Sequence, residues 1–217
     1  MKLNTVSARI CRGGILYAIL LLWAVGLVSP VTAAPTEEFA EASETVERLH
    51  QKLLEVMQQS DTLGYQARFN ELAPVISSLF DTPLIVKVIL SRYWKKLTEL
   101  QKSSFIEMFN QLSIATYASR FNDYNDEQFR EVSKEVLKKG RLLIKTELLR
   151  VKKEPIKLNY LMHQKDGNWL IISVIANGVN DLSLKRAEYA AVIRAKGFDG
   201  LVAEIERKIE QMENSNK

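Results

Sequence analysis

The chain has one cysteine in 217 residues, Cys11, and two histidines, His50 and His163. A lone thiol cannot form an internal disulfide, and two histidines set 113 positions apart without cysteine neighbours give no metal-ligand spacing. Both histidines read as surface residues, His50 on a polar helix flank and His163 at a strand end beside a turn. The sequence also lacks G-x-S-x-G, G-x-G-x-x-G and Walker A patterns, so elbow hydrolases and nucleotide enzymes are without their mechanical parts. No catalytic residue, no metal site and no cofactor is assigned. Charge of one sign is scarce as well. Lys2, Arg9 and Arg12 are the only charged side chains among the first 33 residues, and without that segment 27 basic residues face 26 acidic ones. An excess of one cannot supply the phosphate neutralisation that nucleic-acid binding needs.

The N-terminal segment states a destination. A basic start is followed by an uncharged apolar run over residues 15–28, and Val31-Thr32-Ala33 offers small residues for a peptidase. This is the pattern of a secretory signal peptide over residues 1–33, cleaved after Ala33. Fourteen helical residues span about 21 Å, short of the roughly 30 Å hydrocarbon core, so an uncleaved anchor is the weaker reading. Cys11 lies before the apolar run and is not a lipoprotein acylation site. Its removal would leave an exported, periplasmic chain with no thiol. Residues 34–212 then make one α+β domain, with 213–217 as a polar tail.

Along that domain the apolar period changes once. Phe39, Val46, Leu49, Leu53 and Val56 follow helical steps over Glu37 to Gln59, and Tyr65, Phe69, Leu72, Ile76 and Phe80 do so through Pro74, which should kink or restart the helix. Thr82 and Pro83 predict a cap and first position for a third helix running to about Lys96. Thr98-Glu99-Leu100-Gln101 matches a capping box, and the helix it opens carries two apolar stripes, Phe105/Phe109/Leu112/Thr116 and Ile114/Tyr117/Phe121. Two stripes predict burial on two sides. From Gln128 the period becomes two, giving about four antiparallel strands: Phe129 to Lys138, Arg141 to Lys152, one centred on Ile156 to Met162, and Trp169 to Ala176 after the Lys165-Asp166-Gly167-Asn168 turn. Helices return over Leu182 to Lys196 and Leu201 to Met212. N-terminal helices, a twisted antiparallel sheet and C-terminal helices define an α+β fold with an apolar cavity between helices and sheet.

What the sequence has in excess is apolar strand surface. Leu142-Leu143-Ile144, Leu148-Leu149, Leu170-Ile171-Ile172 and Val174-Ile175 are apolar on both faces, whereas a one-sided sheet alternates. Either helices cover both faces with a solid core, or part of the cover is a ligand. Burying two acyl chains, about 30 methylenes at roughly 0.8 kcal/mol each, gives a gross gain on the order of 20 kcal/mol before association costs. Between Lys134 and Lys157 stand nine basic and three acidic residues. They could meet an anionic headgroup or membrane surface, or simply keep edge strands from aggregating.

Several segments together resemble one family. Tyr93-Trp94-Lys95-Lys96-Leu97-Thr98, Phe105 through Phe109, Ala115-Thr116-Tyr117-Ala118-Ser119-Arg120-Phe121, Gly167-Asn168-Trp169-Leu170-Ile171-Ile172-Ser173-Val174 and Gly197-Phe198-Asp199-Gly200-Leu201 are similar, in order and spacing, to the MlaC or toluene-tolerance family of periplasmic ABC-transport auxiliary proteins. Leu72-Ala73-Pro74 with Phe80-Asp81, and Phe121-Asn122-Asp123-Tyr124 with Phe129, resemble its hopanoid-associated subgroup. Ser173 stands where that family often has an acid. The resemblance implies a monomeric carrier of a phospholipid, or a hopanoid, working between an inner-membrane ABC transporter complex and outer-membrane lipoprotein or porin components through transient contact with membrane-bound partners.

On that reading the lipid-lining residues are Phe80, Ile85, Ile89, Phe109, Leu112, Tyr117 and Phe121 from the helices. Leu143, Leu158, Tyr160, Met162, Trp169, Ile171 and Val174 are expected from the sheet, with strand parity unassigned. Two other classes compete: an enzyme using a cone-like α+β pocket, and an interaction subunit with a solid core.

Overall fold

The computed structural model describes residues 39–215. The predicted signal peptide and its cleavage point lie outside the described residues. Five α-helices and a five-stranded sheet follow in the order α1 (Ala40–Gln58), α2 (Tyr65–Leu79), α3 (Thr82–Leu90), α4 (Glu99–Arg120), β1 (Gln128–Leu137), β2 (Arg141–Arg150), β3 (Lys153–Lys165), β4 (Asn168–Ala176), β5 (Val179–Asn180) and α5 (Asp181–Asn214). A 3₁₀ segment, Ser91–Lys96, joins α3 to α4. The α+β reading holds, with the spatial order β1-β2-β3-β4-β5 and every neighbouring pair antiparallel.

Local chemistry explains most boundaries. Thr98 Oγ1 accepts from Gln101 N–H while the Gln101 side chain returns to Thr98 N–H, so the expected capping box opens α4. The cap of α3 differs from expectation. Asp81, not Thr82, occupies the position, its carboxylate accepting from Leu84 N–H at 3.2 Å, with Thr82 as the first helical residue. Pro74 neither stops nor restarts α2, which continues to Leu79. Leu72 and Ile76, on either side of it, are both fully buried, and tertiary packing holds a helix whose Asn70 carbonyl has lost its N–H donor. Phe80 leaves the helix in an extended conformation and bridges Ile171 of β4, where Asp81 N–H donates to the Ile171 carbonyl at 3.0 Å.

The two C-terminal helices expected from the sequence join at a kink at Gly197 and are labelled together as α5. α5 continues through Asn214 with a single interruption at Gly197, whose φ of 77° and ψ of −179° lie outside the helical region. It therefore includes Glu213 and Asn214 of the expected tail.

The buried side chains form two clusters. The first joins α1, α2 and the C-terminal half of α4 to β2, β3 and β4. The second contains only helix residues, from α3, the N-terminal half of α4 and α5. The two stripes of α4 divide between them: Phe105, Phe109 and Leu112 enter the second cluster, whereas Ile114 enters the first with Tyr117 and Phe121 at its edge. Burial on two sides is thus how α4 ties the clusters together.

Candidate functional site

Strand register decides which sheet side chains meet the helices. In β2 the buried residues alternate as Leu142, Ile144, Thr146 and Leu148, and pairing with β3 places Met162 opposite Leu142 and Tyr160 opposite Ile144. β4 brings Ile171 beside Met162 and Val174 beside Tyr160. Leu143 alternates to the other side of the sheet and belongs to neither cluster. Of the other residues expected from the sheet, Tyr160, Met162, Trp169 and Ile171 are buried in the first cluster, and Leu158 and Val174 are partly buried against it. The helical set separates. Ile85, Ile89, Phe109 and Leu112 lie in the second cluster, Tyr117 and Phe121 at the edge of the first, and Phe80 touches both.

Where the clusters approach each other, the apolar side chains are only partly covered. Phe80, Ile209 and Met212 pack against both clusters and are fully buried in neither. Thr116 Oγ1, on α4, lies 3.9 Å from Met212 Sδ. Sequence reading did not select Ile209 or Met212 as lining, although Leu201, Ile205, Ile209 and Met212 recur at steps of four, four and three along one helical face. That spacing was the available signal.

An aromatic row extends from this seam along the helix–sheet interface. Ring centroids lie 6.0 Å apart for Phe80 and Tyr117, 5.7 Å for Tyr117 and Phe121, and 6.5 Å for Phe121 and Phe129. The row then reaches Phe129 and His50, stacked at 3.9 Å and 7°, and ends at Tyr160. Phe80, Tyr117, Phe121 and Phe129 are each partly buried, so the row borders the first cluster rather than filling it. Rings in offset and edge-on contact make a rigid apolar border with low rotamer entropy.

The titratable groups here are held in structural bonds. His50 is 7% exposed, contrary to the surface position expected, because α1 turns its flank toward the sheet. Its Nε2 lies 3.0 Å from Tyr160 Oη, and burial lowers its pKa to about 3. Burial likewise raises the Tyr160 and Tyr117 phenols, with a smaller like-charge effect from Tyr117 on Tyr160 and from Asp181 on Tyr117. His163 is not free either. It pairs at 3.0 Å with Asp81, a carboxylate that also lies 3.3 Å from Lys165 Nζ and caps α3. Arg68, also buried, donates to the carbonyls of Ala118 and Leu63 and so ties α2 to the C-terminal end of α4. Among the described residues no group of three or more His, Cys, Asp or Glu could hold a metal ion.

Two surface clefts stand out among the described residues. One, of about 500 Å³, lies among the start of α1, the end of α2 and the β3–β4 turn; it includes Glu41, Glu44, Arg48, Lys165 and Asp166, with Trp169 the one predicted lining residue. The other, of about 310 Å³, is formed by Asn125, Asp126, Glu127, Arg150, Val151 and Lys153. Both mix polar and apolar lining, and neither contains the aromatic row.

Comparison with known proteins agrees with this architecture. The family profile described as MlaC protein matches residues 47–207. Among solved structures, a phospholipid-binding protein from Ralstonia solanacearum, determined in complex with a phospholipid, superposes with a TM-score of 0.69 at 17% sequence identity, covering 80% of this chain and 97% of that one. At that identity the likeness is one of fold.

Proposed function

This chain belongs to the MlaC family, and from that premise we propose that it is a lipid carrier that buries phospholipid acyl chains between its helices and its sheet. The observation that carries the reading is the seam: Phe80, Ile209 and Met212 touch both apolar clusters, are fully covered by neither, and continue into the aromatic row. A tail entering there would separate Met212 and Ile209 from Phe80 and lie along Leu158 and Val174. The unbranched Met212 adapts to a chain's length and kinks, while the aromatic border keeps its shape. Binding of this kind is driven by the removal of hydrocarbon from water and needs no catalytic group. His50 and Asp81, the buried groups an enzyme would draw on, are committed to Tyr160 and to the α3 cap.

The finer reading is of a single lipid-binding domain over residues 34–212, exported by the basic and apolar N-terminal segment to the periplasm. There it would pass phospholipid between an inner-membrane ABC transporter complex and outer-membrane lipoprotein or porin components. Family membership and the N-terminal charge pattern support this. The cargo is a phospholipid in preference to a hopanoid, because the structural neighbour was determined with a phospholipid.

Native mass spectrometry and lipid extraction of the protein purified from its own periplasm test the proposal. The expected result is a protein–phospholipid complex in stoichiometric yield. Spectra showing only bare polypeptide, together with no uptake from phospholipid vesicles, would overturn it; a triterpenoid in place of phospholipid would overturn the cargo alone.

A further inference from the structure

The edge strand β1 is exposed along most of its length, whereas β2 beside it is buried at alternate residues. α1 meets the start of β1, where Ser43 Oγ donates to Glu131 at 2.7 Å and His50 stacks on Phe129. Past that point Val132 sits at a bulge between Glu131 and Ser133 and is 55% exposed. Val136 is 64% exposed although its register partner, Leu142, is fully buried. The turn that follows, Lys138-Lys139-Gly140-Arg141, has Lys139 and Gly140 at positive φ, and its three cations are exposed without an ion-pair partner among the described residues. The nearest acid along β1, Glu135, is already paired with Lys145 at 2.7 Å. Lys165, at the neighbouring end of β3, is paired with Asp81 at 3.3 Å and adds no free charge there.

The cations at the other end of the sheet differ. Lys153 shares a cleft with Asp126 and Glu127, and Arg150 donates to the Glu154 carbonyl. The β1–β2 tip thus gathers three exposed cations, Lys138, Lys139 and Arg141, within four residues and without an ion pair among the described residues. The bulge and the lysines oppose a strand adding to the β1 edge, since both are devices that prevent edge pairing. Exposed cations at the turn, with exposed Val136 just before it and exposed Val132 farther back along the same edge strand, suit a soft anionic surface into which short apolar side chains can dip.

We propose that the β1–β2 hairpin, through Lys138, Lys139 and Arg141 at its turn and Val136 and Val132 along β1, docks the protein on an anionic lipid bilayer. The site is separate from the seam, so docking and lipid loading can be tested apart.

Co-sedimentation with vesicles of phosphatidylcholine, with and without phosphatidylglycerol, reads the docking. Binding is expected only with phosphatidylglycerol and should fall steeply with added salt. The triple variant K138Q/K139Q/R141Q, altered only at exposed positions, should lose roughly a hundredfold in vesicle affinity, at about fivefold per cation. V132N/V136N should weaken binding at every salt concentration. K152Q/K153Q should bind like the unaltered chain, and lipid uptake into the seam should be unchanged in all three. Equal vesicle binding by the triple variant, or no binding to phosphatidylglycerol vesicles at all, would overturn the proposal. Binding restricted to native membranes and abolished by shaving them with protease would assign the tip to an acidic protein and overturn it as well.

Discussion

His50 is buried at the border of the first cluster, stacked on Phe129 and hydrogen-bonded to Tyr160, and that environment decides its titration. Its pKa falls from 6.5 to about 3 because the charged ring would lose its water. The unfolded chain therefore binds more protons than the folded one between these values, and stability is lost as pH drops below about 6.5. At pH 4.5 the loss from this residue amounts to about 2 to 3 kcal/mol. Chemical denaturation of the unaltered chain and of H50Q across pH 7 to 4.5 should show the steeper decline in the former. Parallel declines would place the acid sensitivity elsewhere. His50 was illegible in the sequence because its helix flank carries polar neighbours; only the stacking of Phe129 from a distant strand buries it. Asp81 is a similar case: a turn aspartate beside Thr82 gives no sign that His163 and Lys165 will converge on it from 82 and 84 positions away.

At the scale of the element, local signals were legible wherever local chemistry decides. The Thr98–Gln101 box is solvent-exposed and independent of the clusters, so T98A should cost about 1 kcal/mol by removing one cap bond, measured by thermal or urea unfolding, without altering lipid content. The two stripes of α4 were likewise readable, since helical spacing alone places Phe105 and Ile114 on different faces. Pro74 did not restart the helix, because a missing donor is a local defect and burial of Leu72 and Ile76 is a tertiary gain. The alternation of β2 fixes Leu142 and Ile144 inward and Leu143 outward, yet a strand apolar at all three positions could not reveal which set would meet the helices.

At the scale of the molecule, the functional claim lies where the two apolar clusters meet. A bulky substitution on the seam should exclude hydrocarbon: I209W is expected to lower phospholipid uptake from vesicles at least tenfold while the chain stays folded by circular dichroism. L143Q, on the far side of the sheet, should leave uptake within about twofold of the unaltered protein. Equal losses in both would detach lipid binding from the seam. The seam itself was only partly legible. Phe80, Tyr117 and Phe121 were readable as aromatic residues at helical steps, but Ile209 and Met212 acquire their place from the bend in α5.

That bend rests on Gly197. No atom stands within 4 Å of where a Cβ would project, so a side chain would fit the space and fail only on the backbone, whose combination of φ and ψ is open to glycine alone. Any other residue would straighten or redirect the terminal turns of the chain. One glycine thus sets whether the carboxy-terminal half of the last helix serves as a shared wall for both greasy compartments or projects past them into water.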